Sequence, residues 1–208
     1  MRKGLFITFE GGDGSGKSTQ ISILKEKLEK EGFEIYLTRE PGGTDISEKI
    51  REIILDKSNA EMTAMTETML YAAARAQLVE QVIRPAVNGG KIVICDRFVD
   101  SSIAYQAYGR NLGDAVSIIN SFAIGDCIPD MTILLKVDPE EGSRRIAARE
   151  QDRIETAPRD FHRRVYEGYL SLEERYPERV VGIDAKHTID EIAEIIDEKV
   201  RVLLNEIR

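Results

Sequence analysis

Short apolar segments alternate along the chain with longer segments in which apolar residues recur at helical spacing. Five short segments, rich in β-branched residues or ending in an acid, predict β-strands at 5–10, 34–38, 91–96, 131–137 and 179–184. Helical spacing follows the first strand at Ile21, Leu24 and Leu28. It recurs near the C-terminus at Ile192, Ile196, Val200 and Leu203, which predicts one apolar face on a final helix.

Mostly apolar strands separated by helices predict a parallel sheet covered on both faces, the doubly wound α/β class. No internal repeat or linker composition divides the chain, so residues 1–208 are expected to form a single domain. Ligands of such sheets bind beyond the carboxyl ends of the strands. The predicted strands end at Glu10, Thr38, Asp96 and Val137, and charged residues cluster at these ends. A polar ligand is therefore expected at this edge.

A glycine-rich segment follows the first predicted strand and precedes a predicted helix. It fits the phosphate-loop pattern G-x-x-x-x-G-K-[ST] through Gly11, Gly12, Asp13, Gly14, Ser15, Gly16, Lys17 and Ser18. Glycines let successive backbone N–H groups and a helix N-terminus point at a phosphate, as in ATP. Lys17 is expected to face solvent without a ligand and to contact the β- and γ-phosphates, with the Ser18 hydroxyl on Mg²⁺. The alternative is a chance match in a glycine-rich strand–helix turn.

The phosphate loop serves switches, motors and kinases, so other segments must indicate the reaction. A guanine-specific switch would be expected to carry Asn-Lys-x-Asp, which the sequence lacks. Arginines instead stand among small or aromatic residues in "TREPGGT" (38–44), "YAAARAQ" (71–77), "DRFVDSSIAYQ" (96–106) and "RRIAAREQDRIE" (144–155). With these motifs, the chain resembles the thymidylate kinases over essentially its whole length. The resemblance implies a P-loop fold and transfer of the ATP γ-phosphoryl group to dTMP, giving dTDP for nucleotide biosynthesis.

The resemblance assigns the anionic groups of dTMP to a set of charged residues. Arg97 and Arg75 would hold the monophosphate, with help from Arg51. Asp13 would accept a hydrogen bond from the sugar 3′-hydroxyl and lie near the metal. Glu10, at the end of the first strand, is expected to orient the loop.

The resemblance also assigns the base and the sugar. Tyr71 lies one helical turn before Arg75, on the same face, and would stack on thymine. Arg75 would also reach a base carbonyl, and Ser102 and Gln106 would hydrogen-bond the base or its surroundings. Tyr105 would crowd the sugar 2′ position and favour deoxyribose. Taken singly, Tyr71 suits a core aromatic equally well, Arg75 would usually be a solvated helix residue, and Ser101-Ser102 would usually be a helix cap.

An arginine-rich segment is expected to close over the site. Some relatives carry Arg directly after the loop acid, where this chain has Gly14, and such chains resemble the bacterial type, which supplies basic residues from a lid. Residues 141–164 contain seven arginines and no lysine, and arginine binds phosphate bidentately. The expected mobile lid spans about 142–156, with Arg149 and Arg153 toward the transferred group. Arg at position 14 is expected to replace some of the lid's charge.

The composition of the chain narrows the possible binding partners and the expected cellular compartment. The net charge of −8 argues against nucleic-acid binding. The apolar start is too short for a signal peptide, and no run approaches the roughly 20 residues of a membrane span. Cys95 and Cys127, the only cysteines, are expected to be buried free thiols in a reducing cytoplasm. The resemblance suggests a homodimer.

Two other functions compete with dTMP phosphorylation. The first is a kinase for another nucleoside monophosphate or for a deoxynucleoside, against which the thymine-site residues argue. The second is a nucleotide-dependent switch or binding protein without transferase activity.

Overall fold

The structure is a computed structural model that describes residues 4–148 and 150–206. Five parallel strands form one sheet in the order β2-β3-β1-β4-β5. They are β1 (Leu5–Glu10), β2 (Ile35–Arg39), β3 (Ile92–Asp96), β4 (Met131–Lys136) and β5 (Val180–Asp184). Each predicted strand is confirmed to within one residue at either end.

Helices cover both faces of this sheet. They are α1 (Lys17–Lys30), α2 (Asp45–Leu55), α3 (Ala64–Leu78), α4 (Arg84–Asn88), α5 (Val99–Ser102), α6 (Ala115–Ile124), α7 (Pro139–Ile146), α8 (Arg159–Arg175) and α9 (Ile189–Glu206). A π-helical segment, Val79–Ile83, joins α3 to α4, and another, Ile103–Gly109, follows α5. Within the described part of the chain, no helix is both long and apolar enough to cross a bilayer.

The central strand β1 distributes its side chains between two cores. Leu5, Ile7 and Phe9 pack with α1 and α9, whereas Phe6 packs on the other face with the Val79–Ile83 segment. This alternation follows from the period of two in a strand, and it sends Glu10 to the same face as Phe6. The doubly wound α/β fold predicted from the sequence is confirmed.

Two details of the apolar pattern differ from prediction. In α9, Ile192, Ile196 and Val200 are buried as predicted, but the fourth buried position is Leu204, and Leu203 is half-buried. The strand β2 lies at the edge of the sheet and has only one neighbouring strand, β3. At this edge Leu37 is 46% exposed. Both cysteines are free, but only Cys95 is fully buried.

The parallel register brings the carboxyl ends of the strands together. Asp96 of β3 lies opposite Phe9 of β1 and opposite Arg39 of β2. The loops that follow β1, β2, β3 and β4 therefore meet at one edge, where the site is built.

Candidate active site

The phosphate loop connects β1 to α1, as its sequence predicts. Gly16, at the N-terminus of α1, has a φ of 94°, and no side chain caps the helix. The first turn of α1 contains no acid, so the partial positive charge of its free N–H groups is left for an anion. Gly11 has a φ of 133°, and a Cβ there would lie 2.3 Å from the carbonyl oxygen of Leu135. This loop path therefore requires glycine.

Lys17 is buried, and the expectation that it faces solvent was wrong. Only 8% of the residue is exposed, and its Nζ donates to the carbonyl oxygens of Gly11 (3.1 Å) and Gly12 (3.2 Å). The ammonium group thus folds back onto the loop that carries it. Burial lowers the pKa of Lys17 to about 8, and the neighbouring charge of Arg97 acts in the same direction.

Asp13 and Arg97 form an ion pair in the middle of the site. Arg97 Nη2 lies 2.7 Å from Asp13 Oδ1, and the Tyr105 hydroxyl donates to Asp13 Oδ2 at 3.3 Å. Arg97 Nη1 also donates to the carbonyl oxygen of Gly11. The φ of Arg97 is 71°, a left-handed conformation that is strained for a residue with a side chain. The charge of Asp13 is therefore balanced by Arg97 from the loop after β3, which lowers the repulsion between Asp13 and nucleotide phosphates.

Glu10 holds the turn that carries Arg97. Its buried carboxylate accepts hydrogen bonds from the backbone N–H of Phe98 (2.7 Å), from the Ser101 hydroxyl (2.6 Å) and from the Tyr169 hydroxyl (3.0 Å). Burial raises the pKa of Glu10 to about 7, and the nearby Asp100 adds to this shift. The loop that Glu10 orients is thus the one after β3, rather than the phosphate loop itself.

A cleft of about 630 Å³ extends from the phosphate loop to α3. The structure brings together around it most of the residues that the sequence proposes for the two nucleotides. Its lining includes Asp13, Gly14, Ser15, Gly16, Lys17, Ser18, Arg51, Tyr71, Arg75, Arg97, Ser102, Tyr105 and Gln106. Arg51 also donates to the Pro41 carbonyl oxygen at 2.9 Å.

Arg75 differs from the other cleft arginines because it is almost fully buried and its Nε and both of its Nη atoms already donate to protein acceptors. It is 1% exposed, and its Nη1 donates to Ser102 Oγ (2.9 Å) and to Asn120 Oδ1. Its Nη2 donates to the Phe98 carbonyl oxygen and lies 2.5 Å from Glu40 Oε2, which also accepts from its Nε. Held by these partners, the guanidinium orients Ser102, which lines the cleft.

Comparisons with known proteins agree with this geometry. The family model described as "Thymidylate kinase" matches residues 9–196. A thymidylate kinase from Bacillus velezensis is 49% identical over 206 residues, covering 95% of this chain and 97% of its own. One from Exiguobacterium sp. is 51% identical, covering 93% of each chain. The crystal structure of thymidylate kinase from Ehrlichia chaffeensis superposes with a TM-score of 0.78 at 32% identity, covering 96% and 99% of the two chains.

The chain belongs to the thymidylate kinase family. Enzymes of this family phosphorylate dTMP to dTDP with ATP as the donor, the activity classified as EC 2.7.4.9. The expected transferase class, the kinase activity and the phosphate-loop fold are confirmed at this level.

In this member of the thymidylate kinase family, two arginines of the arginine-rich segment contact different parts of the protein. The helix α7 ends at Ile146, and Arg145 lines the cleft and donates to the Gly14 carbonyl oxygen at 3.3 Å. Arg153 lies outside the cleft lining and binds Glu67 at 2.7 Å and the Ile54 carbonyl oxygen at 2.7 Å. Arg149 lies outside the described residues.

The helix α7 touches the phosphate loop through two glycines. A Cβ on Gly14, whose φ is 77°, would lie 2.4 Å from the Gly142 carbonyl oxygen. A Cβ on Gly142 would lie 2.4 Å from the Asp13 carbonyl oxygen. The expectation that Arg at position 14 could replace lid charge is therefore wrong for this arrangement, because any side chain there strains the backbone and collides with α7.

Sequence reasoning missed three residues of this site. Arg145 lines the cleft, but the arginine-rich segment alone does not indicate which arginine faces inward. Asp96 also lines it, and its position at a strand end was the available signal. Glu67 lies one turn before Tyr71 on α3 and is 1% exposed, a burial that nothing in the sequence indicates.

Proposed function

We propose that this chain transfers the γ-phosphoryl group of ATP to dTMP by direct in-line displacement. The observation that carries the proposal is one continuous cleft, with an uncapped helix N-terminus and Lys17 at one end and Tyr71, Ser102 and Gln106 at the other. The Asp13–Arg97 pair lines the same cleft. Such a site works by positioning two anions and stabilising charge, with little covalent chemistry asked of the protein.

The donor end is assigned to ATP. The N–H groups from Gly11 to Ser18 would hold its phosphates, and Lys17 would exchange its contacts with the Gly11 and Gly12 carbonyls for phosphate oxygens. The buried Ser15 hydroxyl has no hydrogen-bond partner among the described residues, which suits a role toward the same anion.

The acceptor end is assigned to dTMP. Arg97 and Arg51, which line the cleft, would bind the monophosphate, and Asp13 would position the sugar hydroxyl. Tyr71 would stack on thymine, and Tyr105, whose hydroxyl reaches Asp13, would favour deoxyribose. Arg75 would act through its charge and by orienting Ser102. For a direct contact with the ligand, Arg75 would have to give up a hydrogen bond to a protein acceptor.

The residues present fit a magnesium ion. Asp96 Oδ1 is buried and has no hydrogen-bond partner in the part of the chain that the structure describes, and Asp96 lines the cleft together with Ser18 and Asp13. Those described residues contain no cluster of three acidic, histidine or cysteine ligands. This suits Mg²⁺, which keeps several waters and binds through few carboxylates and the substrate phosphates. Ser18 and Asp96 would hold the ion, with Asp13 nearby. When bound, the ion would neutralise phosphate charge.

Residues about 142–156 are proposed to form a mobile lid over a single domain. Arg145 already reaches the phosphate loop from α7. Arg153 would have to leave Glu67 to approach the transferred group, so in the arrangement described it anchors the segment on α3. Closure would exclude water and suppress ATP hydrolysis.

A homodimer in the cytoplasm is the proposed setting. The helices α3 and α6 pack against each other, and both expose large apolar side chains, with Met69 56%, Ile118 61% and Phe122 86% exposed. Apolar patches on adjacent helices suit a self-complementary interface. Light scattering should give a dimer mass for the wild type and a monomer mass for Phe122→Glu. A monomeric wild type would contradict this.

A coupled assay across all nucleoside monophosphates tests the reaction. ADP production should require dTMP and continue over many turnovers. Equal turnover of another monophosphate would favour the alternative kinase. Binding of ATP without dTMP-dependent turnover would favour a switch or binding protein.

A further inference from the structure

Glu67 is a buried acid to which three side chains donate. Its Oε1 accepts from Gln106 Nε2 at 3.0 Å and from Arg110 Nε at 3.1 Å. Its Oε2 accepts from Arg110 Nη2 at 2.9 Å and from Arg153 Nη2 at 2.7 Å. Burial alone would raise the pKa of Glu67, but the hydrogen bonds from Arg110 and Gln106 bring it below its ordinary value. Glu67 is therefore ionised and can only accept hydrogen bonds.

An ionised Glu67 decides which end of the Gln106 amide faces the cleft. The two ends of an amide differ, since the nitrogen donates and the oxygen accepts. A carboxylate can pair only with the nitrogen, and Gln106 is 1% exposed, so burial holds it in place. Gln106 also lines the cleft, as do Tyr105 and Tyr71. With its nitrogen on Glu67, the amide oxygen is the end that remains for a ligand.

We infer that Glu67 is a positioning residue that fixes the amide of Gln106 as an acceptor and thereby favours a pyrimidine with an N3–H donor over cytosine. Thymine and uracil carry a hydrogen on N3, whereas the N3 of cytosine is an acceptor. Cytosine N3 would face the oxygen of Gln106 and leave two acceptors unpaired in a buried site, which is costly. The inference rests on the proposed assignment of this half of the cleft to dTMP.

Glu67→Gln tests the inference through a gain of activity that general damage would not produce. Two arginine donors face the Oε2 position and only one, Arg110 Nε, faces Oε1 beside Gln106, so an amide oxygen at residue 67 should occupy the Oε2 position. Its NH₂ would then face Gln106 and turn that amide around, presenting a donor to the cleft. The kcat/KM for dTMP should fall and that for dCMP should rise, lowering their ratio at least about tenfold.

Two further variants separate this role from a structural one. Arg110→Lys alters two of the contacts to Glu67 but keeps a cation beside it and leaves the contact to Gln106, so the ratio should stay as in the wild type. In a Gln106→Leu background, Glu67→Gln should no longer change the ratio, because its target is gone. An unchanged ratio in Glu67→Gln, an equal fall in Arg110→Lys, or a persisting fall in the Gln106→Leu background would each overturn the inference.

A measurement on the wild type covers the case in which Glu67→Gln does not fold. Calorimetry should give a dissociation constant for dCMP at least about tenfold above that for dTMP, and equal constants would overturn the fixed amide. A wild type that turns over no dTMP would instead refute the proposed function. Turnover of dTMP with an unaltered ratio in the variants refutes only the role of Glu67.

Discussion

The two ends of the cleft are built for anions by different physical means. At the α1 end, backbone N–H groups at an uncapped helix start, together with one lysine, are left for a phosphate. At the α3 end, side chains lie in a buried network, and the guanidinium of Arg75 is held by Glu40, Ser102 and Phe98. Substitutions at the α1 end are therefore expected to lower activity with little loss of stability. Substitutions at the α3 end are expected to lower stability as well.

Lys17→Ala should have the largest effect and act on activity. It removes the one loop ammonium, so kcat should fall about 10³-fold or more. Because burial disfavours the ammonium group in the folded protein, as the lowered pKa of Lys17 shows, its loss should leave the free energy of unfolding unchanged or slightly higher. The coupled assay and urea unfolding measure the two effects. Near-native turnover would show that the loop does not bind the donor phosphates.

Arg75→Ala should act mainly on stability. It leaves the buried carboxylate of Glu40 without its cation, and breaking one side of such a pair costs about 3–5 kcal/mol. Arg75→Ala/Glu40→Ala, which removes both charges, should recover part of this loss in urea unfolding. A fully stable Arg75→Ala with weakened dTMP binding would instead make Arg75 a direct ligand contact.

Arg97→Ala should act mainly on binding. It removes a charge-assisted contact worth about 1.5–3 kcal/mol, so dTMP affinity should fall roughly ten- to hundredfold while ATP affinity changes much less. Calorimetry with each nucleotide measures this difference. Ser101→Ala is the control, since it removes one hydroxyl near Arg97 but no charge. Unchanged dTMP affinity in Arg97→Ala would refute the assignment of the monophosphate.

Gly142→Ala tests how closely α7 must approach the phosphate loop. The added methyl would meet the Asp13 carbonyl oxygen, and such overpacking costs about 1–3 kcal/mol. The melting temperature and kcat should both fall, whereas Ser143→Ala, the next residue on α7, should leave both near wild type. A wild-type kcat in Gly142→Ala would mean that α7 needs no contact with the loop during turnover.

The pH dependence at the donor end should be the smallest effect. Lys17 binds phosphate as the ammonium ion, and burial lowers its pKa to about 8, so the charge is lost as pH rises above that value. The kcat/KM for ATP should therefore fall above pH 8, by about tenfold at pH 9. Lys17→Arg, which stays charged, should lack this fall. A flat profile in the wild type up to pH 10 would contradict the lowered pKa.

Several features of this protein follow from local sequence alone. The strands are short apolar runs, and their bounds depend on nearby residues. The phosphate loop is one continuous segment, in which the glycines and the lysine that would bind phosphate are close neighbours in the chain. The resemblance to the thymidylate kinases rests likewise on continuous motifs such as "TREPGG". For these features, neighbours in the chain are also neighbours in space.

Tertiary structure decided what depends on residues far apart in the chain. The burial of Lys17 depends on the path of its own loop, and the closeness of Gly14 to Gly142 depends on how β4 delivers α7. Arg153 could not be assigned to Glu67 from sequence, because 86 positions separate them. Arginine motifs show that cations are present, but only packing decides which of them meet a ligand and which are already held by a buried acid.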